Sequence, residues 1–124
     1  TGRIFWLSVA GALGARARYG LSAAVQRLAG SGWPWGTLVV NAAGCLAAGL
    51  LWALFETRLL LPGHTRLVVM VGFLGAFTTF SAYVVETGTM LRAGSWLSAA
   101  LYIVAQNSLG LATFFLGQSL GRHL

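Results

Sequence analysis

Four apolar runs, at residues 4–28, 37–55, 67–91 and 96–120, decide what this chain can fold into. Each is close to the ~20 residues an α-helix needs to cross a hydrocarbon core. Inside lipid every backbone N–H and C=O must be satisfied within the protein, so runs of this length are expected to be helices. Only 8% of the residues are charged, against about a quarter in soluble globular domains, so water is not the main solvent. Turn-forming stretches separate the runs: residues 30–36 with Pro34, residues 56–66 with Pro62 and Gly63, and residues 92–95 with Gly94. These connections leave no room for a soluble domain, and residues 1–124 read as one all-α membrane domain of four transmembrane helices. Four spans are too thin a bundle to hold both a polar pathway and a lipid-facing shell. An oligomer is therefore expected, a dimer being the smallest.

The charges are eight arginines and two glutamates, Glu56 and Glu86, for a net charge of +6. The arginines are scattered and stand mainly near run ends, where guanidinium groups reach lipid headgroups. Membrane anchoring accounts for the charge, and no nucleic-acid partner is expected. Four spans put both termini on one face with the 56–66 loop. That face carries Arg3, Arg58, Arg66 and Arg122 against Arg27 and Arg92 on the other, a weak bias compatible with insertion in both directions. Trp33, Trp35 and Trp96 at one set of span ends, and Trp6 and Trp52 toward the other, fit interfacial belts. The first run lacks a small-residue cleavage site and is read as mature structure rather than a signal peptide. Cys45, the only cysteine, reads as packing, as do Gly44, Gly49 and the Gly117/Gly121 pair.

Polar residues inside the runs are expensive there and so are candidates for function. Arg16 and Arg18 lie near the middle of the first run, two positions and hence about 200° apart around a helix. They cannot share a face: either one of them, Arg18 before Arg16, meets a wet vestibule that attracts anions while the other snorkels or caps packing, or the span ends before them. Asn41, four residues into the second run, needs another helix or a permeating species to satisfy its amide. Tyr102 and Gln106 share a face at i,i+4 and, with Asn107 and Ser108, make the fourth run polar; Glu86 lies near the end of the third. A stripe facing a pathway and satisfied interhelix hydrogen bonds both fit this pattern. His64 and His123 lie outside the runs with no partner at metal-ligand spacing, and no nucleophile, base and oxyanion set is present, so an enzyme is not expected.

The third run carries the most information, from Gly72, Phe73, Leu74 and Gly75 through Thr78, Thr79, Phe80 and Ser81 to Tyr83. Two glycines, consecutive threonines and a serine at mid-membrane depth weaken a regular helix, and a break is expected between Gly75 and Thr79. Freed backbone groups are tolerated only where they are buried in protein or line a cavity; carbonyls then suit a cation and amides an anion. The alternative is an unbroken helix whose hydroxyls bond back to their own backbone. Phe80 and Tyr83, three apart, are neighbours on one face, and the positive edges of aromatic rings favour an anion. The residues by themselves predict an oligomeric pathway for a small ion of either sign.

Gly11, Gly14 and Arg18, then Gly36, Thr37, Leu38, Val39, Val40 and Asn41 with Gly44, and above all Gly72 to Ser81 followed by Glu86, resemble the Fluc (CrcB-type) fluoride channel family over nearly the whole chain. The resemblance implies an antiparallel, dual-topology dimer in a cell inner membrane or plasma membrane. Such a dimer exports fluoride passively through two pores and holds a structural Na+ ion at its two-fold axis. By position, Asn41 is then the pore amide, Phe80 the first pore aromatic and Tyr83 the second, with Ser81 and Gln106 in the same pore set. Thr37, Glu86 and Tyr102 join the polar set beside the pathway, Arg18 is the vestibule arginine, and the carbonyls of Gly75 and Thr78 from both subunits hold the sodium. The partners implied are fluoride, membrane lipid and a second copy of the chain. Tyr83 stands where phenylalanine is usual, and Gln106 and Gly110 stand where small hydroxyl residues are common. These departures keep open a heterodimeric pair in which this chain's pore set is partly degenerate. Two further classes are a dual-topology proton-coupled exporter, for which Glu86 is the sole embedded carboxylate, and a non-transporting assembly subunit whose glycines and polar residues serve packing alone.

Overall fold

The computed structural model describes residues 2–57 and 62–124. Helix α1 spans Gly2–Ala29 and α2 spans Trp35–Thr57. The third segment is divided into α3 (Gly63–Leu67), a π-helical stretch (Val68–Leu74), α4 (Gly75–Phe77) and α5 (Phe80–Arg92), and α6 covers Trp96–Arg122. Among the described residues three stretches are long and apolar enough to cross a membrane: Trp35–Thr57, Gly63–Arg92 and Trp96–Arg122. The first run forms a continuous helix, as expected, but falls short of that apolarity because Arg16 and Arg18 stand near its centre. Over the described residues the chain is thus all-helical, with the helix lengths and apolarity of a multi-pass membrane protein. Arg58, counted above with the terminal face, lies outside the described residues.

Glycine sets the spacing of the bundle. Helices α2 and α6 lie against each other along most of their length. A Cβ on Gly49 would meet the Phe114 carbonyl, and one on Gly117 would meet the Leu46 carbonyl, so each backbone occupies the space the other's side chain would need. Such close approach supplies the packing that lipid, as apolar as the side chains, cannot drive. Helix α1 rests mainly on the π-helical stretch. Arg16 on α1 is exposed whereas Arg18 is turned inward and half-buried, as their angular separation requires. Helix α5 buries no residue fully, and Phe80 is 75% exposed. Apolar surface of that kind calls for lipid or another chain to cover it.

The break expected between Gly75 and Thr79 is present and narrower. Gly75 keeps helical dihedrals and its N–H bonds to the Met70 carbonyl, the wide i→i+5 pattern of a π-turn. The chain leaves the helix only at Thr78 (φ −84°, ψ 159°) and Thr79 (φ −148°, ψ 117°). Two extended residues in a row end one half-helix at Phe77 and start the next at Phe80. The Thr79 hydroxyl then accepts from the Ala82 N–H at 3.1 Å and caps α5.

Candidate functional site

A broken helix leaves backbone groups that must be satisfied elsewhere, and two side chains do this here. Asn41 on α2 grips Thr79 from both sides: its Oδ1 accepts from the Thr79 N–H at 2.8 Å and its Nδ2 donates to the Thr79 carbonyl at 3.0 Å. On the opposite flank Arg18 donates from Nε to the Ala76 carbonyl at 3.2 Å. A neutral amide and a cation from two different helices thus replace the partners that a continuous helix would have provided.

From Asn41 a chain of hydrogen bonds runs across α2, α6 and α5. Asn41 Nδ2 donates to Gln106 Oε1 at 3.2 Å. Gln106 Nε2 donates to the Tyr102 hydroxyl at 3.0 Å, and that hydroxyl donates to Glu86 Oε1 at 2.7 Å. The second carboxylate oxygen accepts from Thr37 at 2.8 Å. Along this path the donors follow one another from the Thr79 N–H through Asn41, Gln106 and Tyr102 to Glu86, whose two oxygens accept. Tyr102 is fully buried, with Thr37 6% and Gln106 9% exposed, so these bonds are shielded from competing water.

A file of aromatic rings lies beside this chain. Phe80 and Tyr83 meet edge to face with centroids 5.6 Å apart, Tyr83 and Tyr102 do so at 5.5 Å, and Tyr102 and Trp33 at 5.2 Å. Edge-to-face contacts direct positive ring edges at neighbouring π faces and hold each ring in one orientation. A cavity of about 260 Å³ opens at the break, lined by Asn41, Thr79, Phe80, Tyr83, Gln106 and Asn107 among others. At the other end of the chain, Glu86 lines a second cavity of about 330 Å³ beneath the α1–α2 connection.

The structure therefore gathers Asn41, Thr37, Tyr102, Gln106 and Glu86 into one network and seats Phe80 and Tyr83 beside it. Ser81 is exposed one residue into α5, its hydroxyl 3.3 Å from that of Thr79. Thr78 lies in the break and bonds its hydroxyl back to the Leu74 carbonyl at 3.1 Å. Gly75 precedes the break by a turn; the amide that would engage its carbonyl in a continuing helix, Thr79 N–H, is held by Asn41 instead. Asn107, read above only as part of a polar run, lines the cavity and donates to the Tyr83 hydroxyl at 3.4 Å. Cys45, read as packing, also lines it. Among the described residues no three His, Cys, Asp or Glu side chains converge; the oxygens around the break are those of backbone carbonyls, hydroxyls and amides.

The chain matches the model of the family described as CrcB-like protein, Camphor Resistance (CrcB), over residues 5–118. A protein of Nitrosococcus oceani named fluoride-specific ion channel FluC is 50% identical over 115 residues, 93% of this chain and 92% of that one. Proteins of the same name from Desulforapulum autotrophicum and a Roseiflexus species are 48% identical over 120 residues and 42% identical over 121. The first alignment covers 97% of this chain and 96% of its relative, and the second 98% of each. With most of its length matched by the family model and by relatives of nearly equal extent, this chain belongs to the CrcB-like family.

Proposed function

We propose that this chain is a fluoride-selective channel that lets fluoride leave the cell passively, working as an antiparallel, dual-topology homodimer with two pathways. The observation that carries the reading is the continuous polar network from the break to Glu86, flanked by a file of aromatic rings and buried through its middle at Gln106, Tyr102 and Thr37. Family membership supports the ion, since the relatives bear the name of fluoride-specific channels. Fluoride is small and firmly hydrated, so its passage requires fixed donors to replace water. Asn41, Gln106, Tyr102 and Thr37 supply amide and hydroxyl donors, with Ser81 and the Tyr83 hydroxyl near the break. The longest link of the chain, 3.2 Å between Asn41 and Gln106, faces the 260 Å³ cavity. An entering anion takes the place of Gln106 Oε1 as the acceptor there. Chloride, larger and a weaker acceptor, gains less from the same donors.

The second subunit covers the exposed face of α5, where Phe80 stands open. A Na+ ion at the two-fold axis fits the donor set. The carbonyls of Gly75 and Thr78 sit where the helical ladder is interrupted, and two copies bring four neutral oxygens, the hard ligands that an alkali cation prefers. When bound, the ion pins the two broken helices against each other. The proposed location is a cell inner membrane or plasma membrane.

The test is release of anions from liposomes carrying the purified chain. Fluoride is expected to leave rapidly while chloride stays. Equal release of both ions rejects the selectivity, and no release without a second chain favours the heterodimeric alternative. The proton-coupled exporter reading has less support, because hydroxyl donors already engage both Glu86 oxygens; transport driven by a pH gradient and lost in Glu86→Gln would restore it.

A further inference from the structure

Gln26 lies in the last turn of α1, far along the chain from the break, and its carboxamide binds three backbone groups. Its Nε2 donates to the carbonyls of Gly30 and Trp33, the latter at 2.8 Å, while its Oε1 accepts from the Gly36 N–H at 3.1 Å. The Gln26 carbonyl also accepts from the Gly30 N–H at 2.9 Å. Gly30 adopts φ +92°, the left-handed cap that ends many helices and that only glycine enters freely. One side chain thus closes the end of α1, fixes the connection and satisfies an amide in the first turn of α2.

Two of the three groups that Gln26 holds lead to the two donors on Glu86. Trp33, pinned through its carbonyl, sets its ring edge to face against Tyr102, with an interplanar angle of 76°, and Tyr102 donates to Glu86 Oε1. Gly36, pinned through its N–H, immediately precedes Thr37, which donates to Glu86 Oε2. Gln26, Trp33 and Glu86 also line the same 330 Å³ cavity. A polar residue in the final turn of a helix would ordinarily bond to water. Here a single amide ties the α1–α2 connection to both residues that donate to the Glu86 carboxylate.

We infer that Gln26 is a positioning residue that fixes the Glu86 end of the ion pathway, acting through Trp33 on Tyr102 and through Gly36 on Thr37. The inference rests on the channel reading for its effect on flux, while its structural consequence can be read without transport. Gln26→Leu keeps the bulk and removes all three side-chain bonds. Trp33→Leu leaves those bonds in place and removes only the ring against Tyr102. Loss of positioning in either variant is expected to lower fluoride release about tenfold. In a background carrying both Tyr102→Phe and Thr37→Val, which removes the donor at the end of each arm, Gln26→Leu should add less than about threefold, because residues acting through shared paths are not additive.

The experiment independent of transport uses the chain's two carboxylates. With Glu56 and Glu86 the only acidic residues, carboxyl 13C labelling of glutamate in the lipid-embedded protein yields two resonances, assigned by Glu86→Gln. Both Gln26→Leu and Trp33→Leu are expected to displace the Glu86 signal and leave that of Glu56 in place. A Glu86 resonance unmoved in Trp33→Leu overturns the inference even where fluoride transport by the parent chain is intact. So does an equal fall in flux from Gln26→Leu in the parent and in the background that carries both Tyr102→Phe and Thr37→Val. A parent chain that moves no fluoride while the resonance still shifts rejects the channel reading and retains the role of Gln26.

Discussion

Replacing Asn41 by alanine removes three hydrogen bonds at once: two to the Thr79 backbone and one to Gln106. The Thr79 N–H and C=O are then left in a break that has no helical partner to offer, and Gln106 loses its donor. Hydrogen bonds between membrane helices average about 0.6 kcal/mol and reach about 1.7, whereas a buried polar group left unsatisfied costs about 1–3 kcal/mol. The second effect dominates here, because the extended dihedrals of Thr78 and Thr79 prevent the backbone from re-entering a helix without moving α5. The expected loss is about 2–5 kcal/mol, measured by denaturant titration of the micellar protein. Fluoride release from liposomes should fall by about two orders of magnitude, the equivalent of about 3 kcal/mol. An Asn41→Ala protein that unfolds within about 0.5 kcal/mol of the parent and releases fluoride at the parent rate would falsify the role assigned to the amide.

Tyr102→Phe keeps the ring against Trp33 and Tyr83 but leaves Gln106 without its acceptor and Glu86 without one donor; it should cost about 1–3 kcal/mol and cut fluoride release, and parent-like release argues against a pathway along this chain. Thr37→Val should lower release while Thr37→Ser restores it, since only the hydroxyl reaches Glu86; equal rates in the two variants would show that packing, not the donor, matters. Gly117→Ala places a methyl group on the Leu46 carbonyl and should force α2 and α6 apart at about 1–3 kcal/mol, seen as a lower midpoint in thermal unfolding. Gly110→Ala, whose Cβ would meet Cys45 Sγ at an ordinary 3.6 Å, should leave that midpoint in place.

The helices were legible because hydrocarbon demands long apolar runs, and the break was legible because Gly75, Thr78 and Thr79 supply the residues that a helix there cannot use well. The opposed faces of Arg16 and Arg18 followed from helix geometry alone. Counting the first run as apolar as the others overlooked how far two central arginines lower it. The π-helical stretch had no local signature, since its wide turn belongs to backbone hydrogen bonding rather than to a residue pattern. The i,i+4 rule predicted the shared face of Tyr102 and Gln106, and they do hydrogen-bond. Their links to Glu86 and Asn41 depend on how α2, α5 and α6 are rotated about their axes, which spacing within one helix does not determine. Gln26 was missed for a related reason. A lone amide near a span end has the look of a group facing water until the connection folds back over it.

Whether this polar file conducts fluoride and excludes other ions is read from the reversal potential of the parent chain in a planar bilayer with opposed fluoride and chloride gradients. A fluoride-selective file gives a potential that follows the fluoride gradient and does not move when chloride is exchanged for a large impermeant anion. A reversal potential that follows chloride, or one set by a proton gradient, would contradict that selectivity.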